Sequence, residues 1–159
     1  MKPKVYIETT VVSYLTSRPS RDLVVAAHQQ ITRDWWDRRR KAYEPFVSEF
    51  VVKEASAGDP EAAAGRLEAI RGVAVLQLSP AVDAVARDLV AKGVIPAEYV
   101  EDAVHIAVAA ANGMDFLVTW NCSHIANARL RGPIERIVGE HGFACPVICT
   151  PTEMMEDEP

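Results

Sequence analysis

Short apolar runs alternate with longer amphipathic stretches along almost the whole of this 159-residue chain. Lys4 to Glu8 (KVYIE) predicts a first strand, since Val5, Tyr6 and Ile7 favour extended backbone. Thr9 and Thr10 are placed to cap a short helix through Val11, Val12, Tyr14 and Leu15. After a loop at Ser17–Ser20, Arg21 to Lys41 predicts one long helix with Leu23, Ala26, Ala27, Ile31 and Trp35 on its buried face. Trp36 is its partly exposed neighbour. Pro45–Ser48 predicts a second strand and Glu49–Ala57 a helix, with Phe50 and Val51 inward and Glu54 one turn beyond Phe50. Gly58-Asp59-Pro60 is a turn. Glu61–Arg71 predicts a helix and Val73–Leu78 a third strand. Ser79 and Pro80 then open a helix as N-cap and first-turn residue, and Gly93 ends it.

The stretch from Ile95 to Asn127 is the most informative. Ala97 to Asn112 predicts a helix that is apolar on nearly every side and therefore internal. Asp102 interrupts it, and a carboxylate in such a place needs a partner, for which a metal ion is one choice. Asn112-Gly113 stops the helix, and Phe116–Thr119 is a central strand that delivers Asn121, Ser123 and His124 to its carboxyl end. Pro133–His141 predicts a last helix and Pro146–Cys149 a last strand. Thr150–Met155 reads as one turn, and Glu156–Pro159 as an acidic tail. Five short strands alternating with about seven helices predict an α/β fold with a mainly parallel sheet covered on both faces. The organisation expected is one domain over residues 1–150 and a tail over 151–159.

Composition excludes several alternatives. With 49% hydrophobic and 25% charged residues the chain is neither disordered nor membrane-spanning in character. Glu8 interrupts the first apolar segment, so no secretory leader is expected. Three cysteines (Cys122, Cys145, Cys149) suggest no disulfide framework, and the expected location is cytoplasmic. Net charge is −5, but residues 1–41 hold nine Lys/Arg against four Asp/Glu and the remainder eight against eighteen. The basic block Arg33, Arg38, Arg39, Arg40 and Lys41 is a solvated helix face or a local phosphate-attracting patch.

The candidate chemistry lies in carboxylates. Glu8 ends the first strand, Glu54 follows the second, Asp102 precedes the strand at Phe116, and Asn121 follows it. Oxygen ligands converging on one sheet edge suit Mg²⁺ or Mn²⁺, and such an ion assists phosphodiester hydrolysis. Nucleotide loops of the GxGxxG or GxxxxGK[ST] type are absent, as is a GxSxG nucleophile turn. Cys122, His124, Cys145 and Cys149 lack the paired spacing of a zinc site. His105 shares a helix face with Asp102 and reads as a core or supporting histidine, and His124 and Asn127 as residues that hold a loop and the next helix.

Three segments, VYIETTVVSYL, VSEFVVKEASAGD and IPAEYVEDAVHIAVAAANGMDFLVTWNCSHIAN, together resemble a PIN-domain protein, most closely the VapC-like toxin ribonucleases of prokaryotic toxin–antitoxin pairs. The resemblance runs from about residue 4 to residue 150. It implies a three-layer α/β/α sandwich, an acidic pocket for Mg²⁺ or Mn²⁺ and endoribonuclease activity on single-stranded RNA. A cognate antitoxin would be the usual partner, and homodimers are common. The family's acids fall on Glu8, Glu54, Asp102 and Asn121, with Glu8, Glu54 and Asp102 as metal ligands. Glu8 and Asn121 both stand where Asp is usual, so the site has three carboxylates instead of four. The resemblance also assigns Thr9 and Ser48 hydrogen bonds that support the acids. Two further readings are a catalytically weakened PIN-fold protein that binds RNA or a protein partner, and a metal-dependent DNA nuclease.

Overall fold

A computed structural model describes residues 1–155. Five parallel strands form one sheet: β1 (Lys4–Ile7), β2 (Glu44–Ser48), β3 (Ala74–Leu76), β4 (Phe116–Val118) and β5 (Val147–Cys149). Their spatial order is β3-β2-β1-β4-β5. Tyr6 lies opposite Phe46 on one side and Leu117 on the other. The seven α-helices are α1 (Thr9–Thr16), α2 (Leu23–Asp34), α3 (Glu49–Ala55), α4 (Pro60–Ala69), α5 (Pro80–Ala91), α6 (Val100–Ala111) and α7 (Ala128–Glu140). Helices α1 to α4 pack among themselves, and α5 packs on α6 and α7. The strand order runs outward from β1 through β2 to β3 and then returns to the other side of β1 for β4 and β5, an arrangement in which the usual right-handed crossovers put the two helix groups on opposite faces. The fold is therefore α/β and doubly wound, and the direction of winding reverses between β1 and β4.

The central strands are continuous apolar runs because both faces are covered. Val5, Tyr6, Ile7, Leu117 and Val118 have no exposed surface. Helix α6 lies against them with Ala103, Ile106, Ala107, Val108, Ala109 and Ala110 buried, as its all-round apolar character requires. Gly113, at φ 69°, reverses the chain directly after α6 so that β4 can begin. Among the described residues no helix is long and apolar enough to cross a membrane.

Three expectations need correction. The long helix expected over Arg21–Lys41 ends at Asp34; a π-helical turn (Trp35–Arg39) and a 3₁₀ turn (Arg40–Ala42) follow. Trp35 is buried as expected, but Leu23 is 86% exposed while Gln29 and Thr32 are buried in its place. The cause is the polar 17–20 loop beneath it. The Gln29 amide donates to Ser17 Oγ at 2.8 Å and to the Arg18 carbonyl at 3.1 Å, and its oxygen accepts from the Ser20 N–H at 2.9 Å. A polar side chain with that many partners takes the position a hydrophobic stripe would otherwise claim.

Helix α7 begins at Ala128, five residues before the expected start at Pro133, because Asn127 caps it through the Arg129 N–H at 3.0 Å. Burial of Ile134, Ile137 and Val138 holds the helix together across the internal proline. Finally, the residue that caps α1 is Glu8, not Thr9 or Thr10. The remaining elements agree with the pattern within two or three residues at their ends, and the expected tail at Glu156–Pro159 lies outside the described residues.

Ile106 stands in the middle of α6 with no exposed surface. Ile106→Ala should lower the free energy of unfolding by about 3 kcal/mol, measured by urea denaturation.

Candidate active site at the carboxyl edge of the sheet

In an open parallel sheet the crevice for ligands opens where the winding reverses, beyond the carboxyl ends of the strands. Here that point lies between β1 and β4, and the first residue past β1 is Glu8. Its N–H continues the ladder to the Val118 carbonyl at 3.1 Å. The residue is 3% exposed, and its side chain is held by hydroxyls and a backbone amide. Glu8 Oε2 accepts from the Thr10 N–H and Thr119 Oγ1, each at 2.9 Å, and makes a further, short hydrogen bond with Thr10 Oγ1. Thr10 Oγ1 in turn accepts from the Trp120 N–H at 2.9 Å, and Thr119 Oγ1 from the Asn121 N–H at 2.9 Å. One carboxylate oxygen thus ties the end of β1, the start of α1 and the loop after β4.

Glu54 reaches the same edge from α3. Its Oε1 lies 2.6 Å from His105 Nε2 and accepts from Thr9 Oγ1 at 2.6 Å. The same His105 nitrogen is 4.0 Å from Glu8 Oε1, so one imidazole stands between two carboxylates. Burial by itself would raise the Glu54 pKa. The hydrogen bonds from His105 and from the Thr9 hydroxyl oppose burial, and the carboxyl is held below its ordinary value. Behind His105 the Tyr6 hydroxyl is 2.7 Å from Nδ1 and 2.9 Å from Ser48 Oγ, and Phe50 packs on the ring at 5.1 Å. Burial keeps the Tyr6 phenol well above its ordinary pKa, hence protonated and able to donate.

Asp102 sits in the first turn of α6 and is partly exposed. Its Oδ2 is 2.9 Å from His124 Nδ1, and Tyr99 lies over that ring at 4.3 Å. Asn121 does not face Asp102 with its amide oxygen; Oδ1 accepts from the His124 N–H at 3.0 Å and closes the turn that brings His124 in. The structure therefore brings Glu8 and Glu54 together through His105, and Asp102 together with His124, while Asn121 shapes the loop between. Asp115 is at the other end of β4, where Oδ2 accepts from the Lys4 N–H at 2.7 Å.

Thr10, Thr119 and Tyr6 are site residues that pattern reading did not single out, and His124, read as a residue that holds the loop, pairs with Asp102. The Asn-x-x-His spacing of a side-chain-closed turn is the signal for His124. The basic block at Arg38–Lys41 lies away from this edge. It leads into β2, where the Tyr43 N–H bonds the Arg40 carbonyl and the Glu44 N–H bonds the Pro3 carbonyl, at the amino ends of the strands.

Two facts bear on a divalent cation. Among the described residues, no three His, Cys, Asp or Glu side chains stand as a ready ligand group. The charge and the donor type nevertheless fit: the ion-pair partners of Glu8, Glu54 and Asp102 are imidazoles and not lysine or arginine. Hard carboxylate oxygens without a strong base beside them are what Mg²⁺ and Mn²⁺ prefer.

No protein-family model and no curated protein matches the chain.

Because folding lowers the Glu54 pKa, its ionised form adds stability above the ordinary carboxylate range and the contribution fades as pH falls through its lowered folded value. Glu54→Gln should flatten the fall of the urea midpoint below about pH 4.5, and an unchanged pH profile would show that this carboxylate is not held as described.

Proposed function

We propose that the chain is a divalent-metal-dependent endoribonuclease. The observation that carries this reading is the pairing of Glu8 and Glu54 across His105 at the winding reversal of a parallel sheet, with Asp102 paired to His124 one turn before His105 on α6. The likeness of the VYIETTVVSYL, VSEFVVKEASAGD and DAVHIA…DFLVTWN…HIAN segments to PIN-domain toxin ribonucleases supports RNA as the substrate and an antitoxin as the partner.

Glu8, Glu54 and Asp102 would hold Mg²⁺ or Mn²⁺, which when bound supplies Lewis acidity at a phosphoryl oxygen and a more acidic water. The chain's own residues do the placing. Thr10 and Thr119 fix one oxygen of Glu8 and leave Oε1 outside the hydrogen-bond set of the described residues. His105 and Thr9 hold Oε1 of Glu54. Asn121 closes the turn that sets His124 against Asp102. Water is excluded from the Glu8 side by the surrounding strands, which strengthens any charge interaction made there.

A second reading has its own support. With Asn121 committed to a backbone amide and no ready ligand group, the site resembles that of a PIN-fold protein that binds RNA or a protein partner without cutting.

Calorimetric titration with Mn²⁺ separates the two. The nuclease reading expects saturable binding, weakened at least about 100-fold in Asp102→Asn, with loss of single-stranded RNA cleavage and a melting temperature within a few degrees of the wild type. Cleavage by a folded Asp102→Asn protein at the wild-type rate would overturn it. Absence of Mn²⁺ binding in the wild type would favour the non-cutting reading, and single-stranded DNA digested in parallel tests the choice of RNA.

A further inference from the structure

A buried line of hydrogen-bonding groups runs behind the carboxylates. It begins at the N-cap of α3 and ends at Glu54 on the same helix. Ser48 Oγ accepts the Val51 N–H at 3.1 Å, Tyr6 Oη is 2.9 Å from Ser48 Oγ, His105 Nδ1 is 2.7 Å from Tyr6 Oη, and His105 Nε2 is 2.6 Å from Glu54 Oε1. Tyr6 and Ser48 have no exposed surface and His105 is 1% exposed. Water does not reach these groups, so every donor must find its acceptor within the line.

Only one direction satisfies all of them. The Val51 amide is a donor, so it occupies an acceptor position on Ser48. The hydroxyl proton of Ser48 has one further neighbour, Tyr6 Oη, and must go there. Tyr6 then gives its own proton to His105 Nδ1, which therefore carries none. The ring proton is left on Nε2, facing Glu54. In the reverse direction Tyr6 donates to Ser48, and the Ser48 proton is stranded in a dry interior. The backbone amide at the start of α3 thus dictates which imidazole nitrogen carries the proton.

We propose that His105 is a positioning residue, locked as the Nε2–H tautomer by Tyr6 and Ser48, which holds Glu54 Oε1 and leaves Glu54 Oε2, together with the Glu8 Oε1 that lies 4.0 Å from Nε2, for a cation. The role assigned to the cation rests on the nuclease reading; the tautomer does not. Histidine that serves a carboxylate in this way is set by the partner on its other nitrogen. The line also explains why a strand residue as large as Tyr6 is polar at its tip while its neighbours Val5 and Ile7 are not.

The test is ¹⁵N NMR of the full-length protein labelled in its histidines, without metal, with His105→Gln to assign the signal. The wild type should show protonated Nε2 and a hydrogen-bonded, unprotonated Nδ1. In Tyr6→Phe the Nδ1 signal should shift to that of an acceptor with no donor, and Mn²⁺ affinity should fall about tenfold while unfolding stays cooperative. A wild-type Nδ1–H tautomer overturns the proposal without needing any variant to fold, as does a His105 spectrum unmoved in folded Tyr6→Phe. An unchanged Mn²⁺ affinity in that variant overturns the positioning role. Should the wild type bind no Mn²⁺, the nuclease reading falls, and the tautomer measurement still decides whether the line exists.

Discussion

A carboxylate kept from water has to be met by enough hydrogen bonds to replace its hydration, and the carboxyl edge of this sheet is arranged around that demand at Glu8. Thr10 and Thr119 come from elements far apart in sequence, and each gives Glu8 Oε2 a hydroxyl. Each hydroxyl then accepts a backbone N–H from the loop after β4. The loop that carries Asn121 and His124 is consequently positioned by the same oxygen that caps α1. Loss of this carboxylate would release the helix start, the strand junction and the loop together, which is why the site and the fold share their central residue.

The choice of partners for the three acids has an electrostatic consequence. A lysine or arginine would neutralise a carboxylate at all physiological pH values and occupy its geometry permanently. Imidazole donates one hydrogen bond, leaves the second oxygen uncommitted and adds no fixed charge in its neutral form. Arg40 and Lys41 lead into the amino end of β2, and Arg40 lies over the Trp36 ring at 4.4 Å.

The two histidines differ in what lies behind them. His105 is enclosed by Tyr6, Phe50 and Glu54, whereas His124 is partly exposed beneath Tyr99. A ring fixed at both nitrogens orients a carboxylate with little freedom, and a ring fixed at one nitrogen on a surface loop has more room to move. The edge thus has a rigid half, built on β1, α3 and α6, and a loop-borne half, built on Asn121 and His124.

Periodicity and end signals were enough to place all five strands and to recognise α6 as internal, because continuous apolar runs and an all-round apolar helix admit few other positions. Local sequence likewise put Glu8 and Asn121 at strand ends and Asp102 on the helix between. It misjudged α2, where Gln29 makes contacts with the 17–20 loop that no pattern of hydrophobicity records, and α7, where Asn127 outranks Pro133 as a start signal. Which acids meet, and through what, was decided only in three dimensions. The pairing of Glu54 with His105, of Asp102 with His124, and the line from Ser48 through Tyr6 each join residues between 22 and 99 positions apart. Their partners are selected by strand register and helix packing. A sequence determines which backbone a short segment prefers; the donor that a buried carboxylate finds is set by the neighbours the whole sheet brings to it.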